Sequence, residues 1–416
     1  MGAYQIQGGR PLCGVIPIHG AKNSMLPILA ATLVTKGECV LHNCPCISDA
    51  DAALSILQSL GCRTRREGQT LVVDTYSACG TEIPAVLMQK MRAAVIFLGA
   101  LLARFGQARL SHPGGCCLGS RPIDLHLLGL RLMGAECEYE GEELACTVKK
   151  LQGATIALPF PSVGATENLL LAALACAGET ILCNAAREPE IDDLIGFLTA
   201  CGAEIDGVGT SVLRIHGGKR LHGAEYTVMP DRMEAATYLC AAAATRGELR
   251  LTGIVPEHLR AVTEALLRGG CEISQSMREL SLRCSDLCAV SPVRTAPYPA
   301  FPTDAQAPMM AAMATARGVS IFEETIFSDR FRHVPALVSM GAKITAAKRC
   351  AVVEGVPALH GATVTATDLR GGAAMVIAAL AAEGESVITQ TEHTERGYAE
   401  LVQCLRACGV RISITE

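Results

Sequence analysis

Residues 198–207 read LTACGAEIDG, and this stretch decides the fold because its pattern recurs along the whole chain. A leucine lies four residues before a glycine, and the glycine is followed by a small residue and a strand-like segment. This order is typical of a helix that ends at a glycine and leads into a strand. The pattern occurs at Leu57/Gly61, Leu130/Gly134, Leu198/Gly202, Leu266/Gly270, Leu337/Gly341 and Leu405/Gly409.

A second glycine precedes each of these pairs and divides every repeat into two halves. It follows an apolar, alanine-rich segment and precedes a short strand-like one, and the set comprises Gly37, Gly106, Gly178, Gly247, Gly318 and Gly384. Each repeat of about seventy residues therefore predicts strand, helix, strand, helix, strand, strand. The first helix is apolar on nearly all sides, as in GGAAMVIAALAA at 371–382, so we expect it to be buried.

The last repeat ends one strand short. It closes with VRISITE at 410–416, whereas other repeats carry a further strand such as LVVDTY at 71–76. Ala3–Gln7 offers the missing strand, which predicts that the two chain ends meet. The fold class is therefore α/β, with six βαβαββ repeats in two domains. The first domain is expected at 22–229, and the second is expected to combine 1–21 with 230–416.

Composition excludes several classes of protein. The chain has 416 residues, a formal net charge of -5, 4% aromatic residues and no Trp. A nucleic-acid-binding protein would need a basic surface or aromatic stacking platforms, so we expect no nucleic-acid partner. Half of the residues are hydrophobic, which excludes a disordered chain.

No segment has the length of a membrane span. The longest apolar run, at 93–103, is well short of the roughly 18 to 20 residues that a spanning helix needs. The first residues lack the charged and apolar regions of a signal peptide. We therefore expect a cytoplasmic protein with no membrane association.

The 20 cysteines indicate free thiols rather than a disulfide framework. Neither a Cys-x-x-Cys nor a His-x-x-x-His pattern occurs, so we expect no metal and no cofactor. Most cysteines stand in apolar runs, as Cys176 and Cys240 do, and these are predicted to be small buried side chains.

Polar residues cluster where the apolar helices are predicted to begin. A helix amino terminus attracts anions, and several starts also carry a cation, so these positions suit a phosphate or carboxylate ligand. An alternative for Thr303, Asp231 and Asp368 is that they only cap helices. The polar residues at the six starts are Lys22 and Asn23; Lys90 and Arg92; Ser162, Thr166 and Glu167; Asp231, Arg232 and Glu234; Thr303, Asp304 and Gln306; and Asp368 and Arg370.

Two further segments differ from their surroundings. The glycine-rich segment SHPGGCCLGSRPIDLH at 111–126 places Cys116 near Arg121, and a neighbouring cation favours the reactive thiolate form. The segment HTERGY places Arg396 before the last helix. From spacing alone, an inert loop cysteine remains the alternative to a catalytic one.

Seven segments together resemble one enzyme family over essentially the full chain. They are GAKNSMLPILAA, PGGC with the following RPIDLH, SVGATEN, AAREPEI, RTAPYPAFPTD, ATDLR and RGY. The family is that of the UDP-N-acetylglucosamine enolpyruvyl transferases. The resemblance implies the enolpyruvyl transferase fold, an inside-out α/β barrel in two domains that close over a cleft. It implies transfer from phosphoenolpyruvate to UDP-N-acetylglucosamine with release of phosphate, the first committed step of peptidoglycan synthesis.

The resemblance also implies roles for individual residues. Cys116 is expected to protonate the methylene carbon of phosphoenolpyruvate, and Asp304 is the candidate base for the sugar hydroxyl. Phosphoenolpyruvate carries two anionic groups, and the residues expected to bind it are Lys22, Asn23, Arg121, Arg370 and Arg396. Those expected along the nucleotide sugar are Arg92, Arg121, Pro122, Ile123, Asp124, Leu125, Ser162, Val163, Asp304 and Ile326. No protein partner is implied.

Two alternatives remain open. An enolpyruvyl transferase could act on another acceptor, such as shikimate 3-phosphate, although the RPIDL nucleotide segment argues against it. A non-catalytic relative could bind the nucleotide sugar and regulate the pathway. Against the second alternative, the chain retains an acid, a base and the cations of a complete site.

Overall fold

The computed structural model describes residues 2–91, 93–111 and 123–415, together with the backbone of 115–116 and 119–120. The strands are β1 Ala3–Gln7, β2 Cys13–Pro17, β3 Glu38–His42, β4 Arg63–Glu67, β5 Thr70–Asp74, β6 Glu82–Ile83, β7 Gln107–Ser111, β8 Gly115–Cys116, β9 Gly119–Ser120, β10 Glu136–Glu140, β11 Glu143–Thr147, β12 Thr155–Ala157, β13 Glu179–Cys183, β14 Glu204–Asp206, β15 Val212–His216, β16 Glu225–Thr227, β17 Glu248–Thr252, β18 Glu272–Gln275, β19 Glu279–Arg283, β20 Val293–Arg294, β21 Val319–Glu323, β22 Lys343–Ala347, β23 Cys350–Glu354, β24 Thr363–Thr365, β25 Glu385–Thr389 and β26 Arg411–Thr415.

The helices alternate with these strands as the repeat predicts. They are α1 Lys22–Ala31, α2 Ser48–Ser59, α3 Ala85–Lys90, α4 Phe97–Phe105, α5 Asp124–Leu132, α6 Val163–Ala173, α7 Pro189–Ala200, α8 Arg232–Ala244, α9 Arg260–Arg268, α10 Gln306–Met313, α11 Val334–Ser339, α12 Leu369–Ala381, α13 Glu392–Glu395 and α14 Leu401–Ala407. Short 3-10 helices lie at Thr32–Val34, Ala94–Ile96, Pro256–Leu259 and Thr303–Ala305. Within the described residues, no helix is both long and apolar enough to cross a membrane.

Six four-stranded sheets confirm the six repeats. In the sheet β12-β13-β15-β14, β13 pairs parallel with β12 and antiparallel with β15, and β14 lies at the edge. The order of first, second, fourth and third strand also holds in the other sheets, except that two first strands are exchanged: β16 pairs with β3, and β2 pairs with β17. Each sheet of the described chain is open, so the barrel implied by the resemblance is not a closed one.

The amino terminus supplies the strand that the last repeat lacks. The strand β1 lies between β25 and β26 and is antiparallel to both, with Ala3 opposite Thr389 on one side and Thr415 on the other. Its residues Tyr4 and Ile6 are buried. The prediction that the chain ends meet is therefore confirmed.

The chain divides into two compact units. The internal unit comprises Gly20–Cys116 and Ser120–Met229, and the terminal unit comprises Met1–His19 and Pro230–Glu416. In the terminal unit the buried helices α8, α10 and α12 pack against one another, and all thirteen residues of α8 are buried. In the internal unit α4 packs against α1 and α6. The first helices of the repeats are buried, as their composition predicts.

The cysteines fit the expected pattern for the most part. Of the eighteen described, twelve are buried, two are half-buried and four are exposed, and all eighteen are free thiols. The four exposed ones are Cys13, Cys46, Cys79 and Cys350. The prediction of small buried side chains therefore holds for two-thirds of the described set.

Candidate functional site

In the internal unit, Lys22 begins α1 and is largely buried. Its Nζ lies 2.6 Å from Oδ2 of Asp49, near the start of α2, and the two side chains are 11% and 5% exposed. A cation at a helix amino terminus opposes the helix dipole, and the adjacent carboxylate offsets that cost. Asn23 follows on the exposed side of the helix. The ion pair with Asp49 therefore positions Lys22 at this helix start, where its ammonium group can bind an anionic ligand.

The residues expected along the nucleotide sugar come from two helix starts that the fold brings together. Ile123–Leu125 lie at the start of α5, where Ile123 is buried and Asp124 is exposed. Ser162 and Val163 lie at the start of α6, where Ser162 Oγ accepts a hydrogen bond from the Ala165 amide at 3.3 Å. The helices α5 and α6 pack against each other, so both helix starts belong to one surface.

A buried histidine joins these two helix starts. Nδ1 of His126 lies 2.8 Å from Nδ2 of Asn168, whose amide nitrogen also donates to the carbonyl of Val95. Burial lowers the pKa of His126 to about 4, so the ring is neutral near pH 7. Because Nδ1 accepts, Nε2 carries the proton, and a Cβ on Gly164 would lie 3.5 Å from it. The ring therefore presents an N–H group at the first turn of α6.

In the terminal unit, Asp304 is held by two buried arginines. Nη2 of Arg330 lies 2.9 Å from its Oδ1, and Nη2 of Arg370 lies 2.8 Å from its Oδ2. The arginine side chains are 3% and 4% exposed, whereas that of Asp304 is 29% exposed. Arg330 also donates to the Thr303 carbonyl. Paired charges are tolerable at this depth because each guanidinium has charged and polar acceptors.

A tyrosine links Arg370 to the segment that carries Arg396. Nη1 of Arg370 donates to the Tyr398 hydroxyl at 3.0 Å, and the guanidinium carbon lies 5.5 Å from the ring centroid. Burial alone would lower the pKa of Arg370, but Tyr398, Asp304 and Asp231 raise it, so the guanidinium stays charged. A Cβ on Gly397 would lie 2.8 Å from the Leu369 side chain, so the RGY segment needs this glycine to approach α12.

Ile326 is positioned by a buried glutamate. Glu324 is 1% exposed, and its Oε1 accepts hydrogen bonds from the amides of Ile326 and Phe327. Its Oε2 accepts one from the Thr303 hydroxyl at 2.9 Å. The turn containing Ile326 is thereby tied to the residue that precedes Asp304.

The capping alternative holds for some acidic residues and fails for others. Asp231 accepts hydrogen bonds from the amides of Met233 and Glu234, and Asp368 caps α12 in the same way. The Thr303 hydroxyl donates to Glu324 instead of capping a helix. The carboxylate of Asp304 accepts hydrogen bonds from arginines on both of its oxygens.

Part of the expected site lies outside the described residues. This applies to Arg92, Arg121 and Pro122, and to the side chain of Cys116, whose backbone forms part of β8. Arg396 is half-buried and ends α13. The described members therefore form three clusters: Lys22 with Asp49 at the start of α1, the residues at the starts of α5 and α6, and the residues around Asp304.

Sequence reasoning missed three residues of these clusters. Arg330 lies in a turn before α11, and Glu324 follows β21, neither within a recognisable motif. His126 is the last residue of the segment RPIDLH, whose sequence predicts no role for the histidine. The sequence offered one weak signal for these residues. A charged or polar residue that is buried next to an apolar strand seldom lacks a polar partner.

Comparisons with known proteins agree with one another. The family described as EPSP synthase (3-phosphoshikimate 1-carboxyvinyltransferase) matches residues 6–405. Curated relatives named UDP-N-acetylglucosamine 1-carboxyvinyltransferase include one from Nitratidesulfovibrio vulgaris, which is 48% identical over 98% of both chains. One from Caldanaerobacter subterraneus, named UDP-N-acetylglucosamine 1-carboxyvinyltransferase 2, is 46% identical over 99% of both.

Solved structures share the fold. The enolpyruvyl transferase NikO from Streptomyces tendae has a TM-score of 0.90 at 26% identity, covering 100% of this chain and 99% of its own. EPSP synthase from Acinetobacter baumannii has a TM-score of 0.75 at 19% identity, with both chains covered fully. The second likeness concerns the fold alone.

Proposed function

The chain belongs to the UDP-N-acetylglucosamine 1-carboxyvinyltransferase family, and from that premise we propose that it transfers the enolpyruvyl group of phosphoenolpyruvate to the 3-hydroxyl of UDP-N-acetylglucosamine. The products are the enolpyruvyl ether and phosphate. This reaction is the first committed step of peptidoglycan synthesis, and a cytoplasmic location would suit its substrates. The observation that carries the proposal is the half-buried carboxylate of Asp304 between two buried guanidiniums.

The reaction adds the sugar hydroxyl across the enol double bond and then eliminates phosphate. We assign the acid that protonates the methylene carbon to Cys116 and the base that takes the hydroxyl proton to Asp304. Lys22, Asn23, Arg121, Arg370 and Arg396 are assigned to the phosphate and carboxylate of phosphoenolpyruvate. Cations preorganised around developing charge lower the barrier because they need no reorientation during the reaction.

The ion pairs of Asp304 suggest how substrate binding could prepare the base. Two guanidiniums stabilise the negative charge of this carboxylate, which opposes proton uptake from the sugar. An anionic substrate that draws Arg370 toward itself would weaken one of these pairs. We propose that phosphoenolpyruvate thereby makes Asp304 a stronger base at the moment the sugar hydroxyl is to be deprotonated.

The nucleotide sugar is assigned to Arg92, Arg121, Pro122, Ile123, Asp124, Leu125, Ser162 and Val163, with Asp304 and Ile326 at the sugar. The start of α6 offers backbone amides and a positive dipole end, which suits a diphosphate. The N–H of His126 beside Gly164 supports the same assignment.

Release of phosphate tests the proposal. The full chain is incubated with phosphoenolpyruvate and UDP-N-acetylglucosamine together, and each substrate is omitted in turn. Phosphate should appear only when both are present. Release with shikimate 3-phosphate in place of the nucleotide sugar would favour the other acceptor. Binding of the nucleotide sugar without any phosphate release would favour a regulatory protein.

A further inference from the structure

Two buried cysteines face each other across the hairpin of β10 and β11. Cys137 and Cys146 are register partners, and their exposed fractions are 4% and 0%. Directly opposite residues of an antiparallel pair point to the same face of the sheet, so the two thiols are neighbours. The hairpin contains none of the residues assigned to the transfer reaction.

The register gives this pair a geometry that suits a disulfide. Glu140 and Glu143 flank a two-residue turn, with Gly141 at a φ of 65°. The residues beside such a turn form a hydrogen-bonded pair, and the pair type alternates along the strands. Cys137 and Cys146 lie three pairs further on and form a non-hydrogen-bonded pair, with Cα atoms about 4.5 Å apart. A disulfide spans Cα separations of roughly 4.4 to 6.8 Å.

An arginine lies next to the two thiols. Nη2 of Arg131 donates to the carbonyl of Cys137 at 2.8 Å. A hydrogen bond from Cys146 lowers the pKa of Cys137 against the effect of burial, and the charge of Arg131 acts in the same direction. The same hydrogen bond, together with burial, raises the pKa of Cys146. Cys137 lies on the edge strand β10 beside Arg131 and is the less buried of the two, so it is the thiol that reacts first, as the nucleophilic thiolate.

We propose that Cys137 and Cys146 form a redox modification site that hydrogen peroxide converts to an intramolecular disulfide. The Cys137 thiolate attacks one peroxide oxygen, the O–O bond breaks, and the departing hydroxide takes a proton to become water. Sγ of Cys146 then attacks the sulfenic acid on Cys137, so that an S–S bond forms, the S–O bond breaks and a second water leaves. Two thiols are oxidised and one peroxide is reduced to two waters.

The bridge would join the edge strand of a sheet to its neighbour. In the order β10-β11-β7-β6, β11 pairs on one side with β10 and on the other with β7, where Cys146 faces Ala108. The strand β7 ends at Ser111, where the glycine-rich segment that carries Cys116 begins. Local opening of an edge strand admits peroxide to the thiols, and the bridge would then prevent further opening.

The arrangement recurs in a second hairpin, between β18 and β19. Cys271 precedes Glu272 and Cys284 follows Arg283, and because Glu272 and Arg283 are register partners, the two cysteines stand opposite each other. The charge of Arg246 acts on both. We expect Cys271 and Cys284 to form a disulfide under the same conditions. The same oxidised sample therefore tests the proposal at a second cysteine pair.

Mass mapping tests the proposal on the full chain. After exposure to hydrogen peroxide, remaining thiols are blocked with iodoacetamide and the protein is cleaved with trypsin without reduction. Cleavage after Arg131 and Lys149 releases one peptide, 132–149, whose only cysteines are Cys137 and Cys146. This peptide should be lighter by two hydrogens and carry no alkyl group, and dithiothreitol should reverse both changes. Oxidation of Met133 adds oxygen and is thereby distinguished.

Two controls make the outcome decisive. Cys350 is exposed and stands opposite Ala347 across its own hairpin, so it should gain oxygen or be alkylated without forming an intramolecular bridge. In Cys146→Ser, the peptide should lose its mass deficit, and oxidation should no longer raise the melting temperature. Should that variant fail to fold, the map of the parent chain decides alone. A peptide 132–149 that stays fully alkylated while Cys350 is oxidised would overturn the proposal.

Discussion

At the scale of single residues, the environment of Asp304 changes what its substitution means. Its oxygens accept hydrogen bonds from the two buried side chains of Arg330 and Arg370. A helix cap is worth about 0.5 to 2 kcal/mol, whereas breaking a fully buried ion pair costs about 3 to 5 kcal/mol. The cost here should lie below that range, because the Asp304 side chain is 29% exposed.

Asp304→Asn should therefore lower both turnover and stability. Loss of a general base reduces the rate by about 10²- to 10⁴-fold, while binding of UDP-N-acetylglucosamine should remain measurable. Phosphate release, calorimetric titration and thermal melting give the three readouts. Asp329→Asn, which neutralises an exposed carboxylate in the turn beside Arg330, is the matched control and should leave turnover unchanged. Turnover within a few-fold of the parent would remove Asp304 from the role of base.

A buried histidine to which the proposed reaction assigns no role predicts sensitivity to acid. Burial lowers the pKa of His333 from 6.5 to about 4, and its side chain is 0% exposed. The unfolded chain takes up a proton below pH 6.5 that the folded chain resists, so stability falls as the pH drops toward 4. His333→Leu should abolish this dependence of the unfolding free energy on pH. The parent should lose about 2 kcal/mol relative to the variant between about pH 7 and about pH 5 in urea unfolding. Parallel pH profiles would contradict the prediction.

The residue roles that could be predicted from the sequence depend on neighbours close along the chain. Asp231 and Asp368 cap helices because a cap depends only on the next three residues. Arg330 contacts a carboxylate 26 residues earlier in the chain, and Asn168 contacts His126 across 42 residues. Neither contact follows from spacing, because the first depends on the tertiary fold within one repeat and the second on how two repeats pack.

At the scale of elements, a glycine sets the distance between α5 and α6. A Cβ on Gly129 would lie 2.4 Å from a methyl group of Leu169, and no backbone strain is involved. The glycine therefore permits the close approach that brings Ile123–Leu125 beside Ser162 and Val163. The repeat predicted both helices, but their separation depends on packing between repeats.

Gly129→Ala should force these helices apart. Overpacking of this kind costs about 1 to 3 kcal/mol, and the displaced helix starts should bind UDP-N-acetylglucosamine more weakly. Denaturant unfolding and the KM for the nucleotide sugar measure the two effects. Leu128→Ala changes an exposed residue on the same helix and should alter neither strongly. An unchanged KM in a destabilised Gly129→Ala chain would show that the helix spacing does not serve nucleotide binding.

At the scale of the whole molecule, the chain ends are neighbours in one sheet. The strand β1 stands between β25 and β26, and Ala3 is the register partner of Thr415. The pairing of the chain ends was predictable from the six repeats. The last repeat lacks one strand in sequence, and the amino terminus carries a strand that no other repeat needs. The order of strands within each sheet was not predictable from spacing, because it depends on hydrogen bonding between segments distant in sequence.

A circular permutant should therefore fold. A short glycine-serine linker would join the natural ends, and new ends would open at the exposed turn between Ser276 and Met277, where Met277 is 92% exposed. Phosphate release should remain near that of the parent. By contrast, deletion of residues 1–8 removes a central strand and should abolish cooperative melting. A permutant that aggregates while the deletion melts normally would show that β1 is dispensable.

The position of β1 also bears on the order in which the protein can fold as the ribosome makes it. The internal unit ends at Met229, so all of its strands are outside the exit tunnel once the residues that fill the tunnel beyond Met229 have been added. The sheet of β1 is different, because β1 is made before all the other strands, whereas its neighbours β25 and β26 are made after them. The strand β1 therefore lacks its two neighbours while the strands from β2 to β24 are made. Domains generally fold as units, amino-terminal first, during synthesis, but the terminal unit can finish only after β26 has left the ribosome.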